Sequence, residues 1–356
     1  MSLFVSKIGG NIDIMRVIRE YVKINPLLSS CTEMYEMKKY LGLYRLTSLG
    51  VEEFVHNKEY RDSLDLEFKK KLSVSGIGAS IPKSQVFDVS IFKDLRSVSL
   101  MGCTEIVDVS SLRNVYELNL TYCKKITDVS ALCNVRVLEL NYTNVEDISS
   151  LNNVYDLSLI GCKKIKSFEG LNNVHKLDLA CMKNLPDISV LSNVHSVTLS
   201  YTDVEDVSML SGVKILKLLY CEKLKNINNL KSVVELDLSF TKIYDVSMLG
   251  HVKKLKLSGC KRITDVSKLK NVDTLSLAYC NITDVSELTG VRKLDLKYTD
   301  VEDVTSLANA EELDLGNTKI RDISSLSNVK KLSICGCIYL EQDVVCSCNN
   351  CKVHVI

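Results

Sequence analysis

A motif of 19 or 20 residues recurs without interruption from about Leu95 to Asn328, and that period leaves the chain few ways to fold. Two successive copies read VYELNLTYCKKITDVSALCN (Val115 to Asn134) and VRVLELNYTNVEDISSLNN (Val135 to Asn153). The shared pattern is V-x-x-L-x-L-x-x-[CT]-x-(x)-[IV]-x-D-[VI]-S-x-L-x-N, and twelve such units lie end to end. A unit this short packs only on the units before and after it, so the array is a solenoid. Within each unit V-x-x-L-x-L alternates apolar and variable positions, the mark of a strand with one buried face. The next strand begins one period later, which makes successive strands parallel and adjacent, ~4.8 Å apart.

The remaining positions of the unit predict how the chain returns. After the strand comes Cys (Cys103, Cys123, Cys162, Cys221, Cys260, Cys280, Cys337) or Thr (Thr143, Thr202, Thr241, Thr299, Thr318). A position that accepts either needs a small side chain whose S–H or O–H can satisfy a backbone carbonyl in the turn. Asp-Val-Ser, as in Asp128 to Ser130, forms the back of the coil, where both polar side chains can bond local amides. Before the next strand stands Asn in eight units (Asn114, Asn134, Asn153, Asn173, Asn193, Asn271, Asn309, Asn328), Gly212 or Gly290 in two, and Ser232 or His251 in two more. Asn, Gly and His tolerate positive φ, so a left-handed turn is expected at this corner, with Ser232 the one poor fit.

These motifs resemble the leucine-rich-repeat family, whose core is L-x-x-L-x-L-x-x-[NCT]-x-[LI], and the I-T-D-V-S-x-L portion is most similar to the internalin-type subfamily. Two departures are visible. The stretch from D-V-S-x-L to the next strand is about three residues shorter, leaving little or no room for a convex helix, and Cys or Thr replaces the ladder Asn. The resemblance covers residues 95–340. It implies an α/β solenoid, a curved array with one parallel β-sheet on its concave face, and a role in binding protein.

Both ends depart from the pattern. Residues 69–94 form an irregular first coil, with Leu72 to Val74 strand-like and Phe87 to Ser90 echoing the D-V-S motif; residues 329–356 start as a normal unit and lose the pattern after Leu340. Both are expected to cap the apolar core. Residues 1–68 carry no repeat. Ile12, Met15, Ile18 and Val22 fall at helical spacing before Pro26; Ser30 and Glu33 fit a capping box; a third run places Phe54, Val55, Leu64 and Phe68 among charges. A three-helix N-terminal unit follows. It is read either as a cap on the first coil or as F-box-like, because Tyr40 to Leu64 resembles the second half of an F-box, although the usual Leu-Pro and Trp are missing. The second resemblance implies a substrate receptor docked on a ubiquitin-ligase core subunit.

Composition narrows the class. Lys and Arg number 45 against 44 Asp and Glu, so no net field directs the chain to nucleic acid or to a membrane surface. No stretch of eighteen apolar residues spans a bilayer, and MSLFVSKIGGNIDIM lacks the pattern of a signal peptide. Half of the 14 Cys occupy the Cys/Thr position, which reads as reduced, buried thiol. A cytoplasmic, monomeric protein is expected.

The candidate site is an aromatic stripe. The outward position just before Cys or Thr holds Tyr122, Tyr142, Tyr201, Tyr220, Phe240, Tyr279 and Tyr298, and otherwise mostly Gly (Gly102, Gly161, Gly259, Gly336). Such rings suit a binding surface; they would equally stack on one another and stabilise the coil edge. Tyr201, Tyr220 and Phe240 form the longest run, with Lys217, Glu235 and Asp237 as its polar rim. Lys124-Lys125, Lys163-Lys164, Lys261-Arg262 and Lys223 alternate with Glu146-Asp147, Glu205-Asp206 and Glu302-Asp303, a pattern of ion pairing between loops rather than a phosphate track. Cys335, Cys337, Cys346, Cys348, Cys351 and His354 crowd the C-terminus without the paired spacing of common zinc modules, so no metal or cofactor is expected. His175 and His195 share one position in successive units and should be neighbours. No catalytic constellation is present: each notable Asp, Ser and Cys recurs along the repeats, as scaffold residues do. The reading is a non-enzymatic scaffold that binds a protein partner along its Tyr-lined concave face. The alternative is the F-box-type receptor.

Overall fold

The computed structural model describes residues 88–340 continuously and, upstream, residues 44–45, 51, 54–64, 66–70 and 72–74. The chain divides into two compact units, Met1–Val174 and His175–Ile356. In the first, the described residues form six short parallel strands: β1 (Tyr44–Arg45), β2 (Leu72–Val74), β3 (Ser97–Ser99), β4 (Glu117–Asn119), β5 (Val137–Glu139) and β6 (Asp156–Ser158). The described residues of the second form nine: β7 (Lys176–Asp178), β8 (Ser196–Thr198), β9 (Ile215–Lys217), β10 (Glu235–Asp237), β11 (Lys254–Lys256), β12 (Thr274–Ser276), β13 (Lys293–Asp295), β14 (Glu312–Asp314) and β15 (Lys331–Ser333). Within each unit every strand pairs with its neighbour in chain order, and from β3 onward the central Leu or Val of one strand stands opposite that of the next.

The repeat folds this way because its apolar residues all point into one column. In the coil from Val115 to Asn134, Val115, Leu118, Leu120, Ile126, Val129 and Leu132 are each at most 2% exposed. Burial of a side chain of this size contributes about 2 kcal/mol. On the return path the chain forms only 3-10 turns of three to five residues, such as Ser110–Leu112 and Ser130–Asn134, so the short period indeed leaves no room for a convex α-helix between residues 88 and 340. Each turn is started by the Asp of the D-V-S motif. Asp128 Oδ1 accepts the Ser130 amide at 2.8 Å, and Asp108, Asp147, Asp245, Asp265 and Asp322 do the same for Ser110, Ser149, Ser247, Ser267 and Ser324. That backbone bond holds the carboxyl of Asp128 below the usual range.

The corner before each strand is not left-handed, contrary to expectation. None of the eight corner Asn has positive φ, and neither does Gly212, Gly290, Ser232 or His251. The 3-10 turn ends at the corner in right-handed geometry: Arg113, just before Asn114, has φ −54° and ψ −22°, and the Val135 amide closes the next turn on Leu132 O at 3.1 Å. The corner Asn are exposed. Gly212 and Gly290 answer a different need, since a Cβ there would stand 2.3 Å from Ser192 O and 2.5 Å from Lys270 O of the preceding coil.

At the N-terminal end, β1 pairs Tyr44 with Leu72 and Arg45 with Ser73, so the strand ladder reaches into the segment read as helical. After it, residues 51 and 54–56 are helical, followed by the short helices α1 (Lys58–Ser63) and α2 (Leu66–Lys69). Asn57 caps α1 by accepting the Tyr60 amide at 3.0 Å. Val51, Phe54 and Val55 are buried, the Phe54 ring stacks on Phe92 of the first coil at 5.9 Å, and Arg61 Nη1 donates to the carbonyls of Phe54 and Val55 at 2.7 Å. The helices expected around Ile12–Val22 and Ser30–Leu41 lie outside the described residues. So do Cys346, Cys348, Cys351 and His354.

Candidate functional site

The aromatic stripe sits where the chain leaves the sheet. There Leu120, Thr121, Tyr122 and Cys123 form a four-residue turn closed by Cys123 N–H to Leu120 O at 3.0 Å, and Tyr122, its third residue, has φ +64°. Positive φ at the third position is the type II pattern, which favours Gly or Asn. The same geometry recurs along the stripe: Tyr142 (+56°), Tyr201 (+60°), Tyr220 (+57°), Phe240 (+58°), Tyr279 (+62°) and Tyr298 (+56°). Gly102, Gly161, Gly259, Gly336, Asn317 and Cys181 fill the position elsewhere, also at positive φ. The left-handed residue of the repeat is therefore the aromatic one. The signal was in the sequence, because Gly alternates with Tyr in this column.

The rings fall into separate stacks. Tyr122 and Tyr142 have centroids 4.8 Å apart, Tyr201 and Tyr220 5.0 Å, Tyr220 and Phe240 4.5 Å, and Tyr279 and Tyr298 4.6 Å, all within 23° of parallel. Tyr142 and Phe240 each end a stack by lying over a glycine, where a Cβ on Gly161 or Gly259 would come within 2.4 Å or 2.5 Å of the ring. All seven aromatics keep between 37% and 50% of their surface exposed. The stacking anticipated from the repeat register is present, and so is the exposed area that binding requires.

The rim residues lie on the strands behind the rings. Asp237 on β10 pairs in register with Lys217 on β9, and its Oδ1 accepts the Ser239 amide at 3.0 Å; Glu235 forms an ion pair with Lys254 on β11. Lys217 makes no ion pair among the described residues. Along the loops, Lys166–Glu146 (2.7 Å), Lys225–Glu205 (2.7 Å), Lys223–Asp203 (3.1 Å) and Lys242–Glu222 (3.2 Å) each tie a coil to the one before. Of the basic residues singled out in the sequence, Lys125 and Lys223 pair in this way, while Lys124, Lys163, Lys164 and Lys261 form no ion pair among the described residues. His175 and His195 stack at 4.4 Å.

Directly beneath the stripe runs the Cys/Thr ladder. Each Thr donates to its own coil, Thr143 Oγ1 to Leu140 O at 2.6 Å and Thr202 to Leu199 O at 2.6 Å. Each ladder Cys from Cys123 onward reaches one coil back, for example Cys123 to Leu100 O at 3.1 Å, Cys162 to Leu140 O at 3.0 Å and Cys280 to Leu257 O at 3.0 Å. Where Thr precedes Cys, both converge on one carbonyl, and Thr143 Oγ1 lies 3.6 Å from Cys162 Sγ. All seven ladder Cys are unbridged. Burial, with Cys103 beside it, pushes the Cys123 thiol up to about 12, and burial with Cys260 does the same for Cys280. These thiols hold structure together; as thiolate nucleophiles they would be inert.

Among the described residues no group of three or more His, Cys, Asp or Glu is placed to hold a metal, and no helix is long and apolar enough to cross a membrane.

Parallel strands in register, a buried Leu column and a hydrogen-bonded ladder define a leucine-rich-repeat protein by fold. Solved structures with this fold include the leucine-rich-repeat protein LIC12759 of Leptospira interrogans, at 17% identity over 79% of this chain and 94% of that one, with a TM-score of 0.50. An internalin of Listeria monocytogenes is 22% identical over 80% of each chain (TM-score 0.42). The functional domain of InlJ from the same species, which includes a cysteine ladder, is 20% identical over 75% of this chain and 58% of that one (TM-score 0.42). No protein-family model matches the chain, and no curated protein does. At these identities the likeness is one of fold.

Proposed function

We propose that this chain is a non-enzymatic cytoplasmic scaffold, acting as a monomer, that binds a protein partner through the aromatic edge of its sheet. Tyr201, Tyr220 and Phe240 form the centre of the contact, with Lys217, Glu235 and Asp237 around them. The observation that carries this reading is the choice of residue at a left-handed position. A non-glycine residue there costs about 1–2 kcal/mol, and Gly would lose up to about 1 kcal/mol through its freer unfolded chain. A ring stack returns about 0.5–1.5 kcal/mol per contact. The fold thus gains little from rings that Gly102, Gly161 or Gly259 show to be dispensable. What the rings add is half-exposed aromatic surface, the material of binding hot spots.

The N-terminal segment fits the cap better than the F-box reading. Its apolar residues Val51, Phe54 and Val55 are buried, and Phe54 stacks on Phe92 of the first coil.

One experiment addresses both. The full chain and its Tyr201→Gly/Tyr220→Gly variant are immobilised and used to capture proteins from lysate. The expected result is a partner retained by the wild-type chain and lost by the variant, with matching far-UV spectra. Equal capture by both would overturn the aromatic site, and a ubiquitin-ligase core subunit among the captured proteins would favour the F-box reading.

A further inference from the structure

At the opposite end of the strands, where the chain enters the sheet, the residues just before β3 to β6 are Arg96, Tyr116, Arg136 and Tyr155. Register sets them side by side, because Ser97 pairs with Glu117, Glu117 with Val137, and Val137 with Asp156. The Arg96 guanidinium carbon lies 4.1 Å from the centroid of the Tyr116 ring, and that of Arg136 lies 3.8 Å from Tyr155. The two rings are 41% and 39% exposed. Neither arginine forms an ion pair among the described residues, and Arg96 Nε is buried with no hydrogen-bond partner. Several cations on the sheet of the second unit are instead held by carboxylates: Lys293 and Lys331 both hold Glu312, and Arg292 holds Asp273. In this column the guanidinium is held on an aromatic face, with its terminal Nη groups outside any ion pair among the described residues.

We propose that the Arg96–Tyr116–Arg136–Tyr155 column binds an extended polyproline-type segment of a partner protein that carries an acidic residue at every third position. The argument is one of spacing. Arg96 and Arg136 are two strands apart, ~9.6 Å. A polyproline II helix has three residues per turn and rises ~3.1 Å per residue, so residues i and i+3 share a face ~9.3 Å apart. Carboxylates at those positions meet both guanidiniums in register. The intervening prolines rest on the tyrosine rings, as such segments do in aromatic-lined grooves. A guanidinium already held over a ring loses less freedom when it takes a carboxylate in bidentate fashion. A nucleic-acid strand suits the column poorly: the chain carries a net charge of only +1, and Glu117 and Asp156 stand one residue along the strands.

The test uses fluorescence anisotropy on the full chain with two labelled twelve-residue peptides of identical composition. One is four repeats of Glu-Pro-Pro; the other gathers the four glutamates at one end. Oligo-dT of the same length is the third probe. The expected result is binding of the repeating peptide at least about fivefold tighter than its isomer. Arg96→Gln with Arg136→Gln should erase that preference at an unchanged far-UV spectrum. Arg96→Lys with Arg136→Lys should weaken it by about threefold, since charge is kept but the fork and the stack are lost. Arg113→Gln, an exposed arginine of the same unit, should leave it intact. Equal binding of the two peptides, an equal loss on Arg113→Gln, or preference for oligo-dT would each overturn the proposal. None of these outcomes depends on Tyr201 or Tyr220, so the aromatic edge stands or falls separately.

Discussion

At the residue scale, the unusual choice is a tyrosine in left-handed backbone. Tyr220, at φ +57°, touches Tyr201 on one side and Phe240 on the other. Tyr220→Gly removes both contacts, worth about 1–3 kcal/mol together, and relieves about 1–2 kcal/mol of backbone strain. With up to about 1 kcal/mol more lost to glycine's freer unfolded chain, the net cost should centre on about 1 kcal/mol. Tyr220→Val keeps the strain, adds a β-branch and loses the rings, so it should destabilise by more than about 2 kcal/mol. Urea unfolding of the two variants checks the ordering. If Gly were the worse of the pair, the stack would be holding the coil and the site would be structural. The corner behaves oppositely. Asn153 ends a right-handed 3-10 turn, so Asn153→Gly should cost about 0.5–1 kcal/mol instead of being neutral.

At the scale of the element, the coil depends on its ladder carbonyl. Cys123→Thr moves the donor from Leu100 O to Leu120 O, as Thr143 does with Leu140 O one coil on, and should cost under about 1.5 kcal/mol. Cys123→Lys buries an unpaired cation and should unfold the neighbouring coils. The thiols also make a pH prediction. Their folded pKa lies above the unfolded value near 9, so their contribution is complete below pH 9 and falls as pH rises toward 12. By pH 10 Cys123 and Cys280 should each have lost on the order of 1 kcal/mol. Denaturation midpoints should decline more gently above pH 9 in Cys123→Thr than in wild type, and parallel curves would contradict the burial of that thiol. Strand, core and ladder were all legible in V-x-x-L-x-L and in the exchange of Cys for Thr, because burial and hydrogen bonding act directly on residue type. The left-handed position was misplaced because Asn tolerates positive φ without requiring it, whereas Gly beside Tyr in one column marks it. The breaks in the stripe at Gly161 and Gly259 follow from ring positions that no linear pattern encodes. The strand at Tyr44 and Arg45 is only two residues long, too short for periodicity to reveal.

At the scale of the whole molecule, near-neutral charge and loop ion pairs leave no long-range field, so recognition must rest on local chemistry. The chain presents two kinds of local surface: half-exposed aromatic stacks at the strand exits, and tyrosine-stacked guanidiniums at the entries of the first unit. The central claim is that the first of these binds a protein, and Tyr244 supplies an internal control. It is 65% exposed, more than any residue of the stripe, but lies on the return path with Arg262 5.2 Å from its ring centre. Hydroxyl-radical footprinting of the full chain, with and without the captured partner, tests the claim most directly. Protection of Tyr201, Tyr220 and Phe240 with Tyr244 unchanged is the predicted result; protection of Tyr244 with the three stacked rings still fully reactive would contradict it.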